Sequence, residues 1–401
     1  MVMHLCRSCL TFRPVQRGYL LPAFFITMAM TVAQAVRVHA QDRDRPGFGK
    51  RIITYGERFL NDSLDGGKAR LLFYPVFAYS PETSLEVGAS GLYLYNARKN
   101  PDNRLSEIQA FLFATVNEQY GAWFDHFLYG HDDNWFFLGR LRFQRFPLFY
   151  YGIGPQARKE DETVLQADYT LIKERVLRKV LPNLFVGLEL DYQQLYNVQF
   201  ANEAEESHRN LPGASGTSNL GLGFGVVYDS RHNPLNVRKG AFAELAYLHY
   251  DNAWGSEFAF NTVVADVRLF KDFRKNQVLA LQASGAFMGG EVPFNQLAML
   301  GGEMLMRGYY TGRFRDRNFV AAQAEYRWLP FPFSKRFGGV LFASAGTVSP
   351  NTSMLAREQW HPAIGAGLRF MVFPKKDIFI RADFALTPEG NGLYIYTGEA
   401  F

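Results

Sequence analysis

Residues 84–95 read SLEVGASGLYLY: Leu85, Val87, Ala89, Tyr93 and Tyr95 fall on one face of an extended chain, and Glu86, Gly88 and Ser90 on the other. Side chains alternate across a strand, so this period-two pattern belongs to a sheet with one apolar and one polar face. Leu92 and Leu94 interrupt the polar face at its end. Residues 134–146, NWFFLGRLRFQRF, place Arg140, Arg142 and Gln144 opposite Leu141, Phe143 and Arg145. Strands of soluble sandwiches run about 5–6 residues, whereas a tilted strand that crosses a bilayer needs about 9–11. The lengths favour the membrane.

Similar segments, bounded by Gly, Pro, Asn or Asp, recur along the chain. They are predicted at 69–79, 84–96, 105–117, 119–128, 134–146, 162–176, 183–200, 218–229, 240–249, 257–272, 277–288, 318–328, 338–348, 363–373, 377–387 and 392–401. Sixteen strands is an even number, which returns both ends of an antiparallel barrel to one side. The fold class expected is therefore all-β, a transmembrane antiparallel barrel. With the termini in the periplasm, the longer connections at 147–161, 201–217 and 289–317 face outward, and the shorter ones at 129–133, 230–239 and 273–276 face inward. Composition agrees: 16% of the 401 residues are aromatic and 36 are glycine, as suits strands whose faces alternate. No window after residue 40 offers the run of apolar residues that a spanning helix requires.

Residues 1–40 read as a secretory signal. Arg7, Arg13 and Arg17 precede an apolar core at 19–32, and the small residues ending at Ala40 supply a cleavage site, with an alternative after Ala35. The other reading, a membrane anchor, suffers from an apolar run shorter than the roughly 20 residues a spanning helix needs. Both cysteines, Cys6 and Cys9, lie in this segment. Its removal takes away four arginines and no acid, leaving 39 basic against 38 acidic residues, so the charge balance gives no basic face for nucleic acid. Residues 41–68 form a short lead-in, and 69–401 the barrel.

Closure meets one obstacle. Pro75 lies inside the first segment, where it can donate no ladder hydrogen bond. Either the strand begins at Pro75, or the seam between the first and last strands, ending at Phe401, carries fewer hydrogen bonds than the others.

The stretch at 301–318, GGEMLMRGYYTGRFRDRN, shows neither strand alternation nor a helical stripe. It resembles the arginine-glycine-aromatic loop of the bacterial surface antigen superfamily, which includes the BamA and TamA assembly factors and the transporters of two-partner secretion. Gly301, Gly302, Arg307, Gly308, Tyr309, Gly312, Arg313, Phe314, Arg315 and Asp316 carry the likeness. Further matches keep the family order: YYGIGPQ at 150–156, an early loop; YDSRHNPLNVRKGAF at 228–242, a periplasmic turn with Asp229, Arg231, Asn233, Pro234 and Gly240; AGLRFMVF and IFIRADFAL, the penultimate strands; and TGEAF, ending in an aromatic.

The resemblance implies a sixteen-stranded barrel whose sixth outer loop folds inward, with Arg307 pinned by acids on the next two strands. Glu325 matches the first. Ser344 stands where the family has aspartate, which implies a weaker lock or one completed elsewhere, Asp383 being a candidate. Residues 41–68 are too few for the periplasmic POTRA domains of the assembly factors, so the family's barrel alone is expected. The function implied is insertion or translocation of outer-membrane protein or lipid; the alternatives are a passive porin-like channel and a structural surface barrel. Outer-membrane lipids are the expected partners, with unfolded outer-membrane proteins or periplasmic partners as further candidates, and the location is the cell outer membrane.

No enzyme is expected. There is no G-x-S-x-G elbow, and no cysteine follows residue 40. Of the remaining histidines, His126 and His131 are close in sequence but lack the spacing of a metal pair, and His131 begins a solvated turn, HDD. No metal or cofactor is predicted. GLGFG at 221–225 reads as strand rather than phosphate loop.

Overall fold

The computed structural model describes residues 70–401 except 82, 101–102, 146–147, 201–209, 232–235 and 375–376. The predicted signal and lead-in lie outside the described residues, as do Asn233 and Pro234.

Alternating sequence becomes a closed antiparallel sheet of sixteen barrel strands. They are β1 (Arg70–Ser80), β2 (Ser84–Asn96), β3 (Leu105–Thr115), β4 (Tyr120–Tyr129) and β5 (Trp135–Arg145, resuming at Leu148–Tyr150). Next come β6 (Thr163–Leu181), β7 (Leu184–Phe200), β8 (Thr217–Asp229), β9 (Gly240–Tyr250), β10 (Phe260–Arg274) and β11 (Gln277–Gly290). After a long loop follow β12 (Asn318–Trp328), β13 (Phe337–Ser349), β14 (His361–Phe373), β15 (Ile378–Thr387) and β16 (Gly390–Thr397). Each strand pairs with its sequence neighbour, and closure satisfies backbone groups that hydrocarbon would otherwise leave unpaired.

The two faces separate as the alternation requires. Phe77, Leu188 and Leu368 stand 68%, 72% and 65% exposed on the outer surface. Gln323, Glu325 and Arg327 of β12 are buried on the inner one, while Ala324 and Tyr326 between them are half-buried and Ala322 just before them is exposed. Leu92 and Leu94 do not break the pattern of β2: they are buried on the same face as Glu86 and Ser90, because the inner wall itself turns apolar toward the end of the barrel where the chain enters and leaves. At that end Tyr129, Phe136, Leu177, Phe185, Val227 and Phe242 pack together. GLGFG lies within β8.

The strand does not begin at Pro75. β1 starts at Arg70, and Pro75 sits within it opposite Ala89 of β2. The two seams of β1 differ sharply. Its register with β2 runs from Arg70 opposite Leu94 to Ser80 opposite Ser84, but among the described residues one pair, Tyr79 opposite Ile395, joins it to β16. The strands are therefore staggered, the outer end of β1 meeting the inner end of β16. Among the described residues the ladder to β16 does not reach Pro75, and a proline is tolerated where its missing donor has no ladder partner to meet.

β16 also ends before the predicted 401. Gly398 turns with φ 89°, its N–H bonds to the Phe379 carbonyl at 2.8 Å, and Phe401 lies not in the seam but buried with Val237, Phe270, Ala280 and Ala400.

Candidate functional site: a charged anchor inside the barrel

The loop between β11 and β12 is stiffened by a hairpin of Ala298–Leu300 with Phe314–Asp316, in which Leu300 faces Phe314. Its apolar side chains, Leu300, Met306, Tyr309 and Phe314, pack with Ala321, Val348 and Ala363 of the barrel wall. Gly308 has φ 104°, and a Cβ there would lie 2.5 Å from Thr387 Cγ2, so only glycine lets the tip press against β15. Its N–H donates to the Tyr394 hydroxyl at 2.9 Å, and the Tyr309 hydroxyl donates to the Pro362 carbonyl at 3.0 Å.

This packing carries Arg307 into full burial. Its Nη1 donates to Asp383 Oδ2 at 2.6 Å, its Nη2 to Glu325 Oε1, and the guanidinium lies 3.7 Å from the centre of the Phe342 ring. The predicted partner Glu325 and the candidate Asp383 thus flank one arginine. Ser344 takes no part: its hydroxyl is buried without a hydrogen-bond partner among the described residues. A buried guanidinium is tolerable only when its donors meet acceptors, and a planar fork between two carboxylates does this as an ammonium could not.

Three arginines missing from the motif surround the pair. Arg327 Nε donates to Glu325 Oε2 at 2.7 Å, Arg369 Nη1 to Asp383 Oδ1 at 2.5 Å, and Arg381 Nη1 to Asp383 Oδ2 at 3.0 Å. Arg369 continues to Glu399 at 2.8 Å, and Arg327 Nη2 to the Phe401 carbonyl at 3.0 Å. Arg381 reaches the Glu303 carbonyl of the loop at 3.1 Å. The signal that could have found them was in the alternation, since an arginine in a spanning strand belongs on its inward face. Gly367 makes room for this crowd: a Cβ there would lie 1.9 Å from Asp383 Oδ1 and 2.7 Å from Arg369 Nη1. Gly367→Ala is expected to destabilise the barrel by about 1–3 kcal/mol through overpacking, read as a lower thermal midpoint in detergent.

The rest of the motif grips the outer loops. Arg313 binds both oxygens of Glu389 at 2.7 Å and the Ala157 carbonyl at 2.8 Å. Arg315 donates to the Phe149 carbonyl at 3.1 Å and accepts, through its own carbonyl, from Gly154 N at 2.9 Å. Burial draws the Arg315 guanidinium down to about 10, against the opposing influence of Tyr150 and Tyr151. Phe314 stacks on His361 at 3.6 Å, and Asp316 Oδ1 accepts from Arg317 N at 2.7 Å. Gly301, Gly302 and Gly312 have φ of 118°, 123° and 72°. The early loop at 150–156 is thus a partner of the motif loop.

The turn motif lies apart from this anchor. Asp229 Oδ1 accepts from Arg231 N at 3.0 Å and Nε at 2.9 Å, a capped turn. Arg104 Nη2 donates to the Asp229 carbonyl at 2.8 Å and to Asn183 Oδ1 at 2.6 Å, which ties neighbouring turns together. Gly240 starts β9 with φ 107°. Between the wall and the motif loop remains a chamber of about 770 Å³, lined among others by Glu86, Trp123, Asp125, Arg142, Tyr169 and Glu303.

Residues 125–372 match the Omp85 superfamily domain. The chain belongs to the Omp85 superfamily. Among solved structures, BamA from Haemophilus ducreyi lacking POTRA domains 1–3 is similar at TM-score 0.55 and 14% identity, over 83% of this chain and 70% of that one. CdiB from Acinetobacter baumannii is similar at TM-score 0.51 and 10% identity, over 87% and 68%, and CdiB from Escherichia coli at 0.51 and 9%, over 86% and 70%. These likenesses show the fold. No curated protein sequence matches the chain. As an Omp85 barrel it is an outer-membrane protein, and the family read from its motifs is the family to which it belongs.

Proposed function

We propose that this Omp85 barrel inserts or translocates protein or lipid substrates at the outer membrane, through the β1–β16 seam, without catalysing a covalent reaction. The observation that carries the reading is the contrast, among the described residues, between one register pair at that seam and the continuous ladder from β1 to β2. An unpaired strand edge is a template for an incoming strand, and in hydrocarbon every backbone group it satisfies is worth several kcal/mol. The BamA and CdiB barrels that share the fold support the assignment to biogenesis or secretion. In this reading both ends of the barrel face the periplasm, the anchored loop maintains the lumen wall of β12–β16, and an unfolded outer-membrane protein is the partner that meets β1.

The chamber, whose lining includes the charged side chains of Glu86, Asp125, Arg142 and Glu303, favours a second reading, a passive channel in which the motif loop narrows the lumen. Purified protein in liposomes separates the two. The insertion reading expects a second, unfolded barrel protein to fold faster than in protein-free liposomes; steady conductance with no acceleration would replace it with the channel.

A further inference from the structure

The turn between β12 and β13 folds back over the outer wall of the barrel. Glu325 and Arg327 are buried on the inner face of β12, so Tyr326 and Trp328, which alternate with them, face outward. From there the outward rings continue into the turn without a break. Tyr326 meets Trp328 at 4.6 Å, Trp328 meets Phe331 at 6.3 Å, and Phe331 stacks on Phe333 at 5.1 Å. Gly339 of β13 gives Phe331 its place: it lies on the same face as the exposed Phe337 and Leu341, and a Cβ there would lie 2.6 Å from Phe331 Cζ. Phe333 then stands 85% exposed, the most of any large apolar side chain among the described residues. Hydrogen bonds hold this shape. Phe331 N donates to the Phe337 carbonyl at 2.8 Å, Ser334 N to the Phe331 carbonyl at 3.0 Å, and Phe337 N to Ser334 Oγ at 2.9 Å.

Cations gather around the rings. The turn between β10 and β11 lies against this one, because Leu329 N donates to the Asn276 carbonyl at 2.8 Å. It contributes Arg274 and Lys275, both exposed, and just before them Lys271 Nζ lies 5.2 Å from the centre of the exposed Phe273 ring. Register carries Arg274 opposite Gln277, Gln277 opposite Trp328, and Trp328 opposite Gly339. At about 4.8 Å per strand, Arg274 and Trp328 are about 10 Å apart along that row. Lys335 and Arg336 close the β12–β13 turn. Among the described residues none of these five cations forms an ion pair. Asp272, the acid of the same stretch, alternates to the side of β10 opposite Lys271 and Phe273.

We propose that this patch binds the headgroup of an anionic phospholipid: its phosphate seats among Arg274, Lys275 and Lys335, and Phe331 and Phe333 enter the acyl layer beside it. Rings at the edge of the lipid-facing wall with cations at the adjoining turns match a phosphate above hydrocarbon, the arrangement that aromatic girdles and basic clusters make at a membrane surface. A protein in the aqueous space would meet the tips of the turns, whereas Phe331 is laid against the wall, where acyl chains run. The leaflet follows from the orientation given under the proposed function and is the periplasmic one. The site itself depends neither on that orientation nor on the insertion reading.

The test reads lipid contact at Trp328 in the full chain refolded into phosphatidylcholine vesicles. Brominated phosphatidylglycerol or brominated phosphatidylcholine is mixed in, and the part of the fluorescence quenching that disappears in Trp328→Phe reports this site. Phosphatidylglycerol is expected to be preferred there about fivefold or more, the attraction of about one cation near a membrane surface for an anionic lipid. Arg274→Gln combined with Lys335→Gln is expected to remove the preference, with heat-modifiable migration confirming a folded barrel. Should that pair not fold, Lys275→Gln with Lys335→Gln takes its place, with the same loss expected. Equal quenching by the two lipids overturns the proposal and leaves the patch to a periplasmic protein. An unchanged preference in a folded variant overturns it too, because the named cations would then not hold the headgroup. Loss of the preference on adding inorganic phosphate at constant ionic strength would show a site for the free ion and overturn the lipid as its occupant.

Discussion

Arg307→Ala is expected to destabilise the barrel by about 3–5 kcal/mol, the range for breaking a buried ion pair by deleting one partner. The substitution leaves Glu325 and Asp383 facing each other across the space the guanidinium filled, and it strips the cation from the Phe342 ring. Arg381 still donates to Asp383 Oδ2, but Arg327 and Arg369 face the other oxygens, Glu325 Oε2 and Asp383 Oδ1, so Glu325 Oε1 is left with no donor from these three. Thermal midpoints in detergent micelles should fall clearly, and protease should reach the motif loop in otherwise folded protein. Arg307→Lys should recover less than half of the loss, because one ammonium cannot fork between two carboxylates. In a double-mutant cycle, Arg307→Ala and Glu325→Ala should lose together far less than the sum of their separate losses; additivity would show that the pair contributes no coupling.

The second large effect concerns the seam. Tyr79→Cys with Ile395→Cys places two thiols at the observed register pair, where Cβ atoms of paired strands stand about 4.5–5.5 Å apart. Oxidation is expected to abolish assisted folding of a second barrel protein, and reduction to restore it. Conductance should survive oxidation, since the bond lies in the wall and the chamber is untouched. Unimpaired assistance by the crosslinked protein would mean that substrates use another route.

Much of the fold was legible because a bilayer imposes a length and a sheet imposes a period, and SLEVGASGLYLY displays both. Sixteen segments could be placed from those two constraints. Pro75 was harder, since a missing donor says that a neighbour is absent on one side without saying where the strand starts. The end of β16 was illegible for a related reason: IYTGEAF alternates well enough to continue, but the chain turns at Gly398, and Glu399 and Phe401 meet buried arginines of β14 and β12 that lie far away in sequence. Within the site, the resemblance pointed to Arg307 and Glu325, and Ser344 raised the question of the second acid. Asp383 answers it from β15, three strands beyond β12. Arg369 escaped notice because its acids, Asp383 and Glu399, lie on the next strand and beyond the last one, whereas Arg327 and Arg381 stand two residues from Glu325 and Asp383 on their own strands and were open to a reading of the alternation.

The anchor also has a place in time. Arg307 precedes both acids in the sequence, Glu325 by 18 residues and Asp383 by 76, and Glu399 and Phe401 come later still. Until β15 has joined the wall, a guanidinium carried into the lumen would lack half of its acceptors and pay a desolvation penalty of several kcal/mol. Long-range contacts of this kind form after local pairings. The loop can therefore seat only in a barrel whose last strands are already assembled, and its docking is the molecule's own signal that assembly is complete.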